Sequence, residues 1–136
     1  MNCDPFLNIV VTFLGVPEAP EEPTVREVYH DSALIIWNRP RDGGKPITNY
    51  ILEKKEPSAK RWNRATRDPI YPNTTYRVQD LVEGTQYLFR ATAENEMGIG
   101  DPSPPSQPIL AKDPVGMPKE IFLNDCYICI ICNDIH

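Results

Sequence analysis

The residues of this sequence whose types and spacing could support chemistry lie at its C-terminal end. Three cysteines and a histidine stand at spacings that resemble part of a zinc or iron–sulfur site: Cys126, Cys129, Cys132 and His136. Thiolates and imidazoles are the usual ligands of such sites. The residues between the cysteines are one tyrosine and three isoleucines, with no glycine or turn former to wrap a metal. Zinc ribbons use two distant ligand pairs, and ferredoxin-like runs end in Cys-Pro, so both patterns are broken. We therefore expect no metal and no cofactor, although a small metal-binding protein remains an alternative that rests on this tail alone.

Catalytic side chains do not form a recognisable arrangement in the sequence. The only histidines are His30 and His136. No serine or cysteine has a base in a suitable pattern, and no glycine loop is suited to cradling phosphate. We predict that the chain is not an enzyme and has no small-molecule substrate.

A run of basic residues is the candidate for partner binding. Six positive charges fall within fourteen residues, interrupted by Glu56 alone among acidic residues: Lys54, Lys55, Lys60, Arg61, Arg64 and Arg67. Such a run could bind an acidic coiled-coil protein surface. More often a run of this kind is a solvated hairpin edge that lysines protect from pairing. The sequence leaves both interpretations open.

Length and composition indicate one ordinary domain built from strands. A chain of 136 residues can bury one core without disulfides or metals. Its fifteen prolines against seven glycines argue against long helices, because proline removes a backbone donor and clashes with the preceding turn. The net charge of -5 is mild and gives no sign of nucleic-acid binding.

Two features bear on the compartment. No cysteine lies between Cys3 and Cys126, which suits a reducing environment. Residues 6–14 are apolar enough to suggest a signal peptide. The residues before them include Asp4 and no lysine or arginine, so the basic region that precedes the apolar part of a signal peptide is missing. No segment reaches the roughly 18 to 20 apolar residues that span a bilayer. We expect no membrane association.

Short alternating runs separated by turn residues predict seven strands of a β-sandwich. The predicted strands are residues 24–29, 32–38, 47–55, 62–66, 75–79, 86–94 and 106–111. A wide loop at 95–105 joins the last two. By the period-2 rule, one face of these strands supplies the core. The predicted core residues are Trp37, Tyr50, Leu52, Tyr76, Val78, Tyr87, Phe89 and Ala91, with Leu81 capping them.

Residues 81–98, from Leu81-Val82-Glu83-Gly84 through Tyr87 to Asn95-Glu96-Met97-Gly98, resemble the signature of fibronectin type III domains. The resemblance implies an all-β, seven-stranded immunoglobulin-like sandwich. It also implies a tyrosine corner, in which the Tyr87 hydroxyl bonds to backbone a few residues upstream. Trp37 supplies the matching aromatic core residue.

Residues 42–55 and 93–103 resemble more closely the type III modules of titin and the related muscle scaffold proteins obscurin, twitchin and myosin-binding protein C. This resemblance covers residues 16–118. It leaves an apolar N-terminal segment, 1–15, and an Ile/Cys-rich tail, 119–136, outside the domain.

The titin-like resemblance implies a non-catalytic structural or protein-binding module in the cytoplasm, at the A-band of the sarcomere. The expected partners are thick-filament proteins such as myosin, or neighbouring immunoglobulin and type III modules. Contacts would use the sheet faces and the loops at 41–44 and 95–105. The alternative is a secreted or cell-surface adhesion module, in which the sequon at Asn73 would be glycosylated.

Overall fold

The computed structural model describes residues 14–115, and the regular structure in that range consists of strands. Eight strands follow one another along the chain: β1 (Thr24–Arg26), β2 (Ala33–Ile36), β3 (Ile47–Lys55), β4 (Asn63–Arg64), β5 (Thr75–Val78), β6 (Gln86–Asn95), β7 (Gly98–Ile99) and β8 (Ile109–Leu110).

The strands form two antiparallel sheets that pack into a sandwich. The smaller sheet has the order β1-β2-β5, and the larger has the order β4-β3-β6-β7, with β8 also paired to β6. Alternation along each strand sends one set of side chains between the sheets. The prediction of an all-β, immunoglobulin-like sandwich is confirmed.

The longest pairing in the molecule joins β3 to β6. Its register runs from Lys55 opposite Leu88 to Ile47 opposite Asn95, with one irregularity between Ile47 and Asn49. After this irregularity, Tyr50, Leu52 and Lys54 of β3 face the other sheet, as do the odd-numbered residues of β6; before it, Ile47 is the buried residue of β3. The two strands therefore supply a continuous row of buried side chains.

The predicted core residues lie between the sheets. Ile35, Leu52, Phe89, Ala91 and Ala93 are fully buried. Among the predicted set, Trp37, Tyr50, Val78, Leu81 and Tyr87 are also buried. Tyr76 is only half-buried, because β5 lies at the edge of its sheet, although its ring packs against the core.

Some strands are shorter than predicted because the backbone changes conformation beside them. The first ends at Arg26, since Glu27 has a positive φ of 47°. The fifth ends at Val78, and Asp80 two residues later has a φ of 61°. Left-handed residues of this kind interrupt a strand ladder.

The segment after β6 differs from the prediction. The residues predicted as a loop, 95–105, include β7, which pairs with β6 through Glu94–Ile99 and Asn95–Gly98. Residues 100–108, rich in proline, run beside β6 without forming a regular ladder. Ser103 and Ser106 bridge the gap, because their amides donate to the carbonyls of Ala91 and Phe89 at 2.8 and 2.7 Å. The seventh predicted strand is thus reduced to β8.

The tyrosine corner is present. The Tyr87 hydroxyl accepts a hydrogen bond from the Val82 amide at 3.0 Å. Tyr87 belongs to β6, whereas Val82 lies in the turn that crosses from the smaller sheet to the larger one. The bond therefore fixes the crossover against the core.

Two buried polar atoms have no hydrogen-bond partner within residues 14–115, the indole Nε1 of Trp37 and the hydroxyl of Tyr50. The two rings meet edge to face with centroids 5.5 Å apart. Burial raises the pKa of Tyr50 above its ordinary value, and Tyr71 adds to this rise, whereas the nearby Arg39 opposes it.

We predict that Tyr87→Phe lowers the free energy of unfolding by about 1 to 2 kcal/mol, because it removes the acceptor of the Val82 amide while leaving the ring in place. Urea denaturation at neutral pH measures the difference. An unchanged denaturation midpoint would contradict the assigned role of the hydroxyl.

Tyr50→Phe should behave oppositely, because its hydroxyl is buried without a protein partner. We expect no loss of stability at neutral pH, and a gain of up to about 1 kcal/mol. In the wild type the raised pKa of Tyr50 contributes stability below the unfolded-state value, near 10.0, and this contribution is lost as the pH rises through the folded-state pKa. Tyr50→Phe has no phenol to ionise at this position and keeps its stability, so its advantage over the wild type should grow above that pH. A constant difference across this range would refute the explanation.

Candidate partner-binding site

Three of the six predicted basic residues meet in one groove, which we call the β5 groove. It lies between β5 and the edge of the larger sheet and has a volume of about 410 Å³. Its lining consists of Lys54, Arg64 and Arg67, the carboxylates Asp68 and Asp80, and the neutral residues Ala65, Ile70, Tyr76 and Gln79. The groove combines an aromatic and aliphatic floor with a charged rim.

Local contacts position the three cations. Lys54 is at the end of β3 on its inner side, and its ammonium lies 5.8 Å from the centroid of the Tyr87 ring. Arg64 is on β4, where its Nε donates to the Thr66 carbonyl at 2.7 Å. Its remaining guanidinium donors are available to other groups. Arg67 follows on the exposed segment that leaves β4.

The other three predicted residues lie at the β3–β4 hairpin. The Lys55 ammonium donates to the Ala59 carbonyl at 3.0 Å, so this lysine closes the hairpin loop. Lys60 and Arg61 are exposed within the loop. The six cations therefore lie in the part of the chain that runs from the β3–β4 hairpin to the β5 groove.

None of these six cations forms a salt bridge with another residue of the described range. Other cations of the same range do: Arg90 with Glu53 at 2.8 Å, and Lys45 with Glu96 at 3.2 Å. Paired surface charges are partly neutralised by their own chain. The six predicted residues are not neutralised in this way by a salt bridge within that range.

Trp62 adds an aromatic surface to this part of the chain, and the sequence analysis did not assign it a role. The guanidinium carbon of Arg90 lies 4.4 Å from the centroid of the indole ring, and the Lys55 ammonium lies 5.6 Å from it. Glu53, opposite Arg90 in the ladder, fixes the guanidinium. A tryptophan inside a basic run is the sequence signal that could have identified this stack.

The loops at 41–44 and 95–105 were predicted to contact partners. In the structure they hold residues 15–18, the N-terminal segment of the described range. The Gly15 amide donates to the Gly43 carbonyl at 2.9 Å, and the Glu18 amide donates to the Arg41 carbonyl at 3.0 Å. Gly43 has a φ of 75°, and a Cβ there would overlap the Val16 carbonyl oxygen. A Cβ at Gly100 would likewise overlap the Pro17 carbonyl oxygen.

Asn95 connects these loops, and the sequence analysis missed it. Its Nδ2 donates to the carbonyls of Gly15 and Asp42, both at 2.8 Å, and its Oδ1 accepts from the Met97 amide. The side chain is almost fully buried. The arrangement depends on three segments distant in sequence, so no local pattern reveals it.

The cysteines and histidine at 126–136, on which the metal-binding alternative rests, lie outside the described residues. Within residues 14–115, no group of three or more His, Cys, Asp or Glu side chains is placed to hold a metal ion. The same range contains no helix that is long and apolar enough to cross a membrane. Asn73 is exposed, at the turn before β5.

Comparison with protein families gives a match over most of the described range. The family model of the fibronectin type III domain matches residues 18–109. The match begins where the N-terminal segment meets the loop at 41–44, and it ends in β8.

Individual relatives come from muscle. Myosin-binding protein C, cardiac-type, of Rattus norvegicus is 35% identical over 120 residues, which make up 88% of this chain and 9% of that protein. The crystal structure of domains A168-A170 from titin has a TM-score of 0.67 and 41% identity, over 72% of this chain and 33% of that one. Titin module A71 from human cardiac muscle has a TM-score of 0.66 and 32% identity, over 74% of this chain and 98% of that one. The chain thus spans a small part of the curated relative that it matches.

Asn95→Ala should destabilise the module by about 2 kcal/mol, because it leaves buried carbonyls of the N-terminal segment and the adjoining loop without their donor. It should also speed hydrogen exchange at the Gly15 amide, which the same loop holds. Chemical denaturation and amide exchange measure the two effects.

The matched control for this prediction is Asn63→Ala, since Asn63 is exposed on β4. Its stability should change by less than about 0.5 kcal/mol. If Gly15 exchange were the same in Asn95→Ala as in the wild type, Asn95 would not be what holds the segment.

Proposed function

The chain belongs to the fibronectin type III family, and on that premise we propose that it is a non-catalytic structural and protein-binding module of a titin-like sarcomeric scaffold. The observation that carries the proposal is the row of six basic residues without internal ion pairs, on a module related to those of titin and myosin-binding protein C.

The partner that best fits this surface is an acidic protein of the thick filament. The name of one relative states that it binds myosin, and exposed cations on this module would attract acidic side chains. The hairpin cations Lys60 and Arg61 are exposed, whereas Lys54 and Arg64 border a groove with an aromatic floor. The hairpin suits long-range attraction, and the groove suits close contact.

The muscle relatives also support a cytoplasmic, A-band location, where the module would stand beside immunoglobulin or type III neighbours. Residues 15–18 are bonded to two loops of the module, so this end of the domain has a fixed position relative to the sandwich. A structural role requires such defined connections, because a flexible link does not set spacing.

Binding through exposed cations has a characteristic dependence on salt. Each exposed ion pair across an interface contributes about 0.2 to 1 kcal/mol, and salt screens the attraction over about 8 Å at physiological ionic strength. The module alone should therefore bind with modest affinity, and several modules in line would bind more tightly.

Reversing three charges together, Lys60→Glu, Arg61→Glu and Arg64→Glu, tests the proposed surface. We expect binding to a myosin rod fragment to weaken by about tenfold or more at low salt, since each reversal replaces an attraction with a repulsion. Titration of the labelled fragment at two ionic strengths measures this effect and its salt dependence.

The control is the triple variant Arg26→Glu, Arg39→Glu and Lys112→Glu. These residues are exposed on other parts of the surface, and the variant changes the net charge by the same amount. Equal weakening in both variants would indicate a net-charge effect alone. Unchanged binding in the first variant would rule out the basic surface.

A further inference from the structure

β5 lies at an edge of the smaller sheet, and its side away from β2 is not paired with a strand of the described range. Among the strands within residues 14–115, β5 pairs with β2 alone, through Ala33–Val78, Leu34–Arg77, Ile35–Tyr76 and Ile36–Thr75. The Trp37 amide donates to the Thr74 carbonyl at 3.0 Å. Because bonding alternates along antiparallel strands, Tyr76 and Val78 bond toward β2. The peptide groups of Thr75 and Arg77 therefore turn toward the opposite side.

No strand of the described range lies on that side of β5. The chain between β4 and β5 stays with the larger sheet, since the Ala65 amide donates to the Leu52 carbonyl at 2.7 Å and the Ile70 amide donates to Asn49 Oδ1 at 3.0 Å. The β5 groove occupies the space between this segment and β5. In constant-type immunoglobulin sandwiches a fourth strand extends the corresponding sheet.

The two edges of the smaller sheet are protected differently. β1 has three residues and follows a proline-rich stretch that includes Pro20 and Pro23, which discourages pairing. β5 has four residues, and the nearest preceding proline, Pro72, lies three residues before it, whereas Pro23 directly precedes β1.

The charged side chain that could guard the β5 edge is held elsewhere. The Arg77 guanidinium is paired with the Glu27 carboxylate and bonded to Ser32 Oγ, across the outer face of the sheet. It also lies 5.6 Å from the centroid of the Tyr29 ring. Its charge is therefore directed away from the open peptide groups of β5.

The groove determines the chemistry of a strand that could occupy this position. Alternate side chains of an added strand would face inward beside Tyr76, into the groove that Lys54, Arg64 and Arg67 help to line. These three cations face two groove carboxylates, Asp68 and Asp80. With three cations and two carboxylates, the groove has a net charge of about one positive unit. It therefore suits a strand with one acidic side chain among neutral, β-forming residues better than a strand with several acidic residues in a row.

We propose that an extended peptide segment of a protein partner, carrying one inward acidic residue among β-branched residues, adds to β5 as a fourth strand of the smaller sheet. Its backbone bonds to the Thr75 and Arg77 peptide groups, and its carboxylate lies among the groove cations. Such strand addition derives affinity from main-chain bonds and specificity from alternate side chains. The proposal deepens the proposed function, since it uses part of the same basic surface.

The test uses the full chain and a short labelled peptide with blocked termini, made of alternating valine and threonine with one central glutamate. Thr75→Pro removes the outward amide donor, and proline is tolerated where an edge amide faces away from the sheet. Thr75→Ala keeps the amide and is the matched control. We expect Thr75→Pro to weaken binding by about tenfold, because the peptide loses its hydrogen bond from the Thr75 amide. Thr75→Ala should bind the peptide like the wild type.

Amide exchange on the wild-type chain gives an independent readout that does not rely on the folding of the proline variant. Peptide binding should slow exchange at Thr75 and Arg77 and leave Tyr76 and Val78 unchanged. A peptide with the central glutamate replaced by lysine should bind more weakly.

Failure of this proposal is distinguishable from failure of the proposed function. If no peptide binds, or if exchange at Thr75 and Arg77 is unaffected by a bound peptide, strand addition is excluded. Equal binding to a correctly folded Thr75→Pro variant excludes it as well. If the Lys60, Arg61 and Arg64 variant then still showed weakened binding to the rod, the proposed function would hold, with side-chain charge attraction and not strand addition as the mode of binding.

Discussion

The pairing of β3 with β6 is the constraint on which the rest of the structure depends. Its register places Leu52 opposite Ala91 and Tyr50 opposite Ala93, so that large residues of one strand stand beside small residues of the other. The buried row leaves room for Trp37 and Val78 of the facing sheet. A slip of β3 by one residue would turn Tyr50 and Leu52 to solvent and bury Glu53 instead.

Patterns within a strand made much of this fold predictable from the sequence. β3 has the predicted bounds, and the alternation at Tyr87, Phe89 and Ala91 identified the buried face of β6. The features that escaped prediction depend on contacts between distant segments. Asn95 is informative only beside Gly15 and Asp42, and β7 forms because Gly98 allows a tight return onto β6. Single-sequence periodicity carries no signal for such contacts.

The residues of the candidate site could be predicted from the sequence, but their arrangement in space could not. The sequence identified all six cations, yet it could not separate Lys55, which closes a loop, from Lys60 and Arg61, which are exposed. The β5 groove exists because β4 pairs with the larger sheet and leaves β5 at an edge. That choice is a property of sheet pairing, and it is not encoded in the basic run itself.

Binding and stability are largely separable in this module because they use opposite faces of the same strands. On β3, Leu52 faces the core while Glu53 and Lys55 face solvent. Lys54 is the exception: it extends the inner row, and its ammonium lies near the Tyr87 ring that anchors the crossover. A substitution at Lys54 would therefore change both the groove and the packing around Tyr87, whereas Lys60 and Arg61 can vary without reaching the core. Partner specificity can change at the hairpin while the β3–β6 pairing stays fixed.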